Sequence, residues 1–135
     1  MSKIKLEEAR EVVRAGLQSG REQGVGLGIA VVDYAGQIVA FERDDSAMWI
    51  ASEIAWRKAR TSAAFCSPTA DREQAWAQRP FFAQSVVALG DFVVGKGAVP
   101  LIRDGEVVGA VGASGGHPDQ DHVAAEAGAA RFASL

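Results

Sequence analysis

The sequence predicts an α/β (α+β) fold in which one antiparallel sheet is flanked by helices. Two apolar runs, residues 25–32 and 37–43, are separated only by a short turn that ends at Gly36, as in a β-hairpin. Asp104-Gly105 separates two further apolar runs, and this pair suits the type I′ turn of a tight hairpin. Apolar residues at helical spacing occur before, between and after these hairpins. This order favours helices packed on one antiparallel sheet.

The first half of the chain predicts two helices with a hairpin between them. Apolar residues from Leu6 to Leu17 recur at helical spacing, which predicts an amphipathic helix ending near Gly24. The two strands of the first hairpin follow. Residues 47–65 then predict the main packing helix. One side of this helix carries mostly small residues, which allow a close approach to a sheet: Ala51, Ala55, Lys58, Ala59 and Ser62.

The middle of the chain predicts a short helix, an ambiguous run and a short strand. Thr69 suits the N-cap of the short helix, and Pro80 is expected to end it. Residues 81–89 fit a helix or a loop, because an apolar run this short has no decisive period. Residues 92–94 predict a short strand.

The stretch that follows carries the main functional signal. Strands 99–103 and 106–113 form the second hairpin, and a loop of Ser114, Gly115 and Gly116, hereafter the Gly-Gly loop, comes next. Pro118 suits the first position of a final helix, and acidic residues follow in its first turn. The sequence therefore predicts a loop of free backbone N–H groups at a helix N-terminus, an arrangement that binds anions.

Composition narrows the class of protein. The chain has 135 residues, enough for one domain spanning residues 1–135 with a sizeable core. Its net charge is −3 with acidic and basic residues interleaved, so we expect no nucleic-acid partner. No apolar run approaches a membrane span, the N-terminus lacks the apolar core of a signal peptide, and there is a single cysteine. These features predict a cytoplasmic protein without a membrane partner.

Three motifs resemble a known family. They are V-D-x-x-G-x-x-V-A-F-x-R at residues 32–43, K-A-R-T-x-A-A-F at residues 58–65, and G-A-V-G-A-S-G-G at residues 109–116. Together they resemble the GlcG/HbpS-like family, which includes the haem-binding protein HbpS and the C-terminal domain of PduO. The resemblance implies a profilin-like layered fold with a five-stranded antiparallel sheet, frequent homo-oligomers, and binding of haem or corrinoid-related molecules in some members. It does not imply one activity.

The candidate site residues lie around the Gly-Gly loop. Lys58 is on the packed side of its helix, where a lysine needs either an ion pair, with Asp33 or Glu53, or a carboxylate or haem propionate of a ligand. Arg43, at the end of a strand, has the same two interpretations. His117 is either solvent-exposed or a proton-transfer group or axial haem ligand. His122 lies about 140° around the helix from His117, so we predict no shared metal site.

Two functions from different classes follow from these residues. The first is a small ligand-binding protein that takes haem or another anionic cyclic molecule, with Arg43, Lys58, His117 and the Gly-Gly loop as ligand-binding residues. The second is a cofactor-free enzyme acting on a small carboxylate in a catabolic pathway. In that case Lys58 and the loop would hold the carboxylate, and His117 would transfer a proton in an isomerase, deaminase or hydrolase step. A structural accessory subunit is a third alternative. Exposed aromatic residues on a small domain also predict a homo-oligomer.

Overall fold

A computed structural model describes residues 3–135, and this part of the chain contains five helices and four strands. In chain order they are α1 (Leu6–Glu22), β1 (Gly28–Asp33), β2 (Ile38–Arg43), α2 (Ile50–Phe65), α3 (Thr69–Trp76), α4 (Pro80–Ala88), β3 (Ala98–Arg103), β4 (Glu106–Ser114) and α5 (Pro118–Ala133). The predicted α/β class is therefore confirmed.

The four strands form one antiparallel sheet in the order β2-β1-β4-β3. Ile29, Val31 and Val111 point to one face, where they form the main core with α1 and α5. Val32 and Ala110 point to the other face and contact small residues of α2. The close approach of α2 requires glycine at position 112, because a Cβ there would lie 2.2 Å from the Ala55 carbonyl oxygen.

The sheet has four strands, so the expected five-stranded sheet is wrong, and the predicted strand at residues 92–94 does not form. Backbone groups in this segment and just after it bond to helix side chains instead of to a strand. The Thr61 hydroxyl donates to the Val93 carbonyl at 3.0 Å, and the Glu73 carboxylate accepts from the Lys96 N–H at 2.8 Å. Because side chains of α2 and α3 satisfy these backbone groups, the segment has no need of a sheet partner.

Two helix boundaries also differ from expectation. The ambiguous run is a helix, and Pro80 is its first residue rather than the end of the preceding helix. Pro80 lacks only an N–H that the first turn would leave unpaired in any case. The Asp104-Gly105 turn has positive φ at both residues, 53° and 76°, which confirms the predicted tight hairpin.

Thr69 is the first residue of α3 and not its N-cap, because its hydroxyl bonds to the edge strand β3. The hydroxyl accepts from the Ala98 N–H at 3.0 Å and donates to the Ala98 carbonyl at 3.3 Å. Thr69 and Ala98 are both fully buried. One side chain therefore satisfies both backbone groups of a residue that has no strand on its outer side.

No helix within residues 3–135 has the length and apolar character needed to cross a lipid bilayer.

Replacement of Thr69 by valine, which keeps the shape but removes the hydroxyl, should destabilise the fold by about 1–3 kcal/mol, because the buried Ala98 N–H loses its acceptor. Urea unfolding would measure this change, and amide exchange at Ala98 should become faster. Thr69→Ser keeps the hydroxyl and should leave that exchange slow. Unchanged exchange at Ala98 in Thr69→Val would contradict the assigned bond.

Candidate functional site

The predicted site residues meet at one end of the sheet, hereafter the site end. Gly28 begins β1 and pairs with Arg43 at the end of β2 and with Ser114 at the end of β4. The Gly-Gly loop leads from β4 into α5 at the same end. The segment that leads into β3 lies at the same end, because the Ala113 N–H donates a hydrogen bond to the Gly97 carbonyl. Four separate parts of the chain therefore converge here.

Lys58 is buried at the site end and forms an ion pair with Asp121. Its Nζ atom lies 3.1 Å from Asp121 Oδ2, 3.0 Å from the Ala113 carbonyl oxygen and 2.9 Å from the Lys96 carbonyl oxygen. The side chains of the pair are only 7% and 4% exposed. An ammonium group has three N–H donors, and each has an acceptor here. The ion pair is therefore one of the two predicted alternatives, with Asp121 in place of Asp33 or Glu53.

Asp33 and Glu53 have other partners. The Asp33 carboxylate accepts from the Ala35 and Gln37 N–H groups in the β1–β2 turn. Glu53 pairs with Arg57 one helical turn further along α2. Neither carboxylate is therefore available to Lys58.

The ion pair connects helices that lie on opposite faces of the sheet. Lys58 belongs to α2, and Asp121 belongs to α5. The lysine passes the end of the sheet beside Gly97, where a Cβ would lie 2.8 Å from Nζ and 2.9 Å from the Ala113 carbonyl oxygen. Gly97 also has a φ of 133°. Glycine at this position is therefore required both by space and by backbone conformation.

Burial raises the pKa of the Asp121 carboxyl above its ordinary value, because a charged carboxylate loses its hydration there. The Lys58 ammonium opposes this shift, as do the hydrogen bond from the Gly116 N–H and the nearby His117. Lys58 thus stabilises the charged form of the Asp121 carboxyl group, which burial destabilises.

Three of the N–H groups that the sequence predicts to be free at the Gly-Gly loop and the start of α5 have partners within the chain. The Gly116 N–H donates to Asp121 Oδ1 at 3.0 Å, and the His117 N–H donates to Gln120 Oε1 at 2.9 Å. The Asp119 N–H donates to His117 Nδ1 at 3.2 Å. Side chains of α5 therefore cap its own N-terminus, and the Asp121 carboxylate occupies the position where an anion would bind.

The two histidines differ in exposure and in partners. The His117 side chain is 69% exposed, and its Nε2 atom has no partner among residues 3–135. Because Nδ1 accepts a hydrogen bond, the neutral ring carries its proton on Nε2. His122 lies in α5, five residues after His117, and its Nε2 atom is 2.9 Å from Glu126 Oε1. Among residues 3–135 no group of three or more His, Cys, Asp or Glu side chains could hold a metal ion.

Arg43 is exposed at the end of β2 and forms no ion pair within residues 3–135. Beside it, a polar cleft of about 250 Å³ opens between the α1–β1 and β2–α2 loops. The lining residues of this cleft are Arg21, Gly24, Val25, Gly26, Asp44 and Ser46. Gly115 borders it, since a Cβ at Gly115 would lie 2.9 Å from the Gly26 carbonyl oxygen. The cleft, Arg43 and His117 therefore form the accessible part of the site end.

The three tryptophans have different roles. Trp76 is buried and packs edge-to-face against Phe65 and Phe82. Trp56 is half-buried beside Arg57. Trp49 precedes α2, close in sequence to the cleft residue Ser46, and is 68% exposed. Together with Met48, which is also exposed, it forms an apolar rim near the site end.

The pairing of Lys58 with Asp121 was not predicted from the sequence. From the sequence, Asp121 is an acidic residue in the first turn of the last helix, where the helix dipole favours it, and it can share a helix face with His117; the structure confirms its place in that first turn. The sequence did contain a hint of this pairing. A lysine on a packed helix face needs an anionic partner, and the acidic first turn of α5 follows directly after the loop that ends β4. The two residues are 63 positions apart in the sequence, so the spacing of neighbouring residues could not indicate that they pair.

Fold and site together define a small α/β protein with a polar cleft at one end of a four-stranded antiparallel sheet. Residues 4–130 match the family model described as "Haem degrading protein HbpS-like". The chain belongs to this HbpS-like family, so the resemblance found in the sequence motifs is confirmed.

Individual proteins extend this comparison. The chain is 31% identical to protein GlcG of Escherichia coli strain K12 over 113 residues, which cover 78% of this chain and 77% of GlcG. It is similar to the crystal structure of a double mutant of Streptomyces reticuli HbpS, with a TM-score of 0.88 and 28% identity over 96% of this chain and 87% of that one. A crystal structure titled "PduOC:Heme Complex" gives a TM-score of 0.85 and 25% identity over 97% and 95%.

Replacement of Lys58 by methionine, which keeps much of the side-chain volume, should destabilise the protein by about 3–5 kcal/mol at neutral pH, because Asp121 is left as a buried charge without its partner. Equilibrium unfolding in urea would measure the loss. Adding Asp121→Asn to this variant removes the stranded charge and should recover part of the stability. A double variant no more stable than Lys58→Met would contradict this account.

In Lys58→Met, the contribution of Asp121 to stability should depend on pH in the same direction as in the parent, but over a wider pH range. Loss of Lys58 removes an interaction that lowers the Asp121 pKa, so the native pKa rises further above the unfolded value. Between those two pKa values, the native state binds a proton that the unfolded state does not, so stability increases as the pH falls through that window. Unfolding free energies of Lys58→Met and Lys58→Met/Asp121→Asn, compared from neutral pH downward, should therefore converge.

Proposed function

We propose that this protein binds haem or another anionic cyclic molecule at the site end. The proposal rests mainly on exposed groups next to the polar cleft in sequence: Arg43, which has no ion pair within residues 3–135, precedes the cleft residue Asp44, and the exposed Met48 and Trp49 follow the cleft residue Ser46. The exposed His117 follows the Gly-Gly loop at the same end of the sheet. Family membership supports it, since the family description names haem and a structural neighbour is described as a haem complex.

The residues present fit the outline of such a ligand. Haem joins a flat apolar ring to two carboxylates. The exposed Trp49 ring and Met48 offer apolar surface to a ring, and the Arg43 guanidinium can hold a carboxylate with two parallel hydrogen bonds. Haem itself would supply the iron centre and its visible absorption band.

We infer that His117 donates a hydrogen bond to the ligand rather than acting as an axial ligand of iron. Nδ1 accepts from the Asp119 N–H, so in this tautomer Nε2 carries the proton and cannot offer a lone pair. Coordination through Nε2 would require the other tautomer and would remove the cap of α5. Donation to a carboxylate keeps the cap.

Lys58, Ser114, Gly115 and Gly116 serve the proposed site in a different way. Lys58 has three protein acceptors, so we assign it as a positioning residue that fixes the Gly-Gly loop through Asp121. The loop backbone then forms one border of the cleft. The alternative of an enzyme acting on a small carboxylate assigned that carboxylate to Lys58 and the loop N–H groups, and both Lys58 and the Gly116 N–H bond to protein atoms here. We therefore carry forward only the binding function.

The cleft also supports the expectation of a homo-oligomer. Ligand pockets for drug-sized molecules usually have volumes of about 300–1,000 Å³, and the cleft of about 250 Å³ lies below that range. One chain would cover only part of a macrocycle. We propose that the protein works as a homo-oligomer in the cytoplasm, in which further copies cover apolar surface.

Titration of the purified protein with haem should produce a shifted Soret band that saturates. Arg43→Gln should weaken binding about tenfold, because a hydrogen bond to a charged group contributes about 1.5–3 kcal/mol. Arg10→Gln is the matched control: Arg10 lies on α1 and pairs only with Glu7 at the helix surface. Equal affinities of the two variants would show that Arg43 does not contact the ligand.

His117→Asn tests the role of the imidazole, because asparagine is also a good N-cap and preserves α5. We expect weaker binding with the band at the same wavelength. A band displaced or lost at saturating haem would instead make His117 an axial ligand.

A further inference from the structure

A second surface of the molecule, formed by α4 and the groove beside it, lies apart from the proposed ligand site. α4 has the sequence PFFAQSVVA, which contains no charged residue, yet only Val86 is buried. Phe81 is 84% exposed, and Leu89, just after the helix, is 77% exposed. An apolar helix with this much exposure indicates a surface that another molecule covers.

The groove beside α4 is lined mainly by small and apolar residues. Two adjoining depressions of about 360 and 390 Å³ share Ala83, Gln84 and Val94. Val87 and Ala88 complete one of them, and Glu73, Trp76, Ala77 and Pro80 line the other. Alanine at several of these positions leaves room for a helix or a large side chain to approach.

We propose that the α4 surface binds the α4 surface of a second copy of this chain, with the two helices antiparallel around a two-fold axis near Gln84. The α4 surface would be the contact surface of the homo-oligomer proposed above. This assignment rests on the proposed homo-oligomer and is independent of haem binding. A two-fold contact requires a self-complementary surface.

The shape of α4 is self-complementary about Gln84. Phe81 lies three positions before Gln84, and Val87 lies three positions after it, on a shared side of the helix. In an antiparallel pair, Phe81 of one copy therefore faces the depression lined by Val87 and Ala88 of the partner. The Gln84 amide contains both a donor and an acceptor, so it can bond to its own copy across the axis.

The charges at the two ends of α4 are complementary in the same orientation. Arg79 precedes the helix and forms no ion pair within residues 3–135. Asp91 follows it and binds Arg57 through Oδ1 only. Antiparallel packing brings Arg79 of each copy towards Asp91 of the other, whereas parallel packing would place like charges together.

Cysteine cross-linking tests the axis directly. In a Cys66→Ser background, Gln84→Cys should form a disulfide-linked dimer under mild oxidation, because residues on a two-fold axis meet their own copies. The matched control is Ser85→Cys, one position around the helix and also exposed, which should remain monomeric on a non-reducing gel. Equal cross-linking of both variants, or none with Gln84→Cys, would overturn the proposed axis.

Light scattering of uncross-linked protein tests the surface. Phe81→Arg should raise the dissociation constant of the oligomer at least about tenfold, while Leu6→Arg, which changes an exposed apolar residue at the start of α1, should not. An oligomer that survives Phe81→Arg unchanged would overturn the α4 contact only. A monomeric parent at high micromolar concentration would overturn the oligomer itself. Haem titration of the same variants reports separately on the ligand-binding proposal.

Discussion

The buried ion pair between Lys58 and Asp121 holds the site end together. The lysine belongs to α2. The three atoms that accept hydrogen bonds from its ammonium group belong to α5, β4 and the segment that leads into β3. Asp121 then holds the Gly116 N–H, so one pair of charges fixes the loop that borders the cleft. A buried pair of this kind contributes little net stability compared with apolar packing, but removal of one partner is costly because it leaves the other charge buried and unpaired.

The periodic features of the fold could be predicted from sequence, because each depends on neighbouring residues. The two hairpins, the helix of small residues and the burial of Lys58 belong to this group. The features that could not be predicted depend on long-range partners. Residues 92–94 have the composition of a strand, but Thr61 and Glu73 had already satisfied the backbone around them. The Gly-Gly loop has an anion-binding sequence, but Asp121 supplies the anion from within the chain.

The site end thus combines a buried part, formed by the ion pair and the glycines beside it and hereafter called the base, with exposed side chains around it, hereafter called the rim. Lys58, Asp121 and the glycines of the base have their charges and hydrogen bonds satisfied by protein atoms. Arg43, His117 and Trp49 on the rim are exposed and keep free binding capacity. Such a division suits a family whose members share a fold without sharing one activity, since changes in the rim leave the base intact.

The two edges of the sheet differ, and this difference controls how the sheet can grow. At the β3 edge, the Thr69 hydroxyl occupies the backbone groups of Ala98, Pro100 has no N–H to offer, and a bulge follows Leu101. The β2 edge has no such protection from Pro or a covering hydroxyl within residues 3–135. The β1–β2 pairing also has a bulge, so a proline and a covering hydroxyl distinguish the β3 edge, and strand addition meets fewer obstacles on the β2 side.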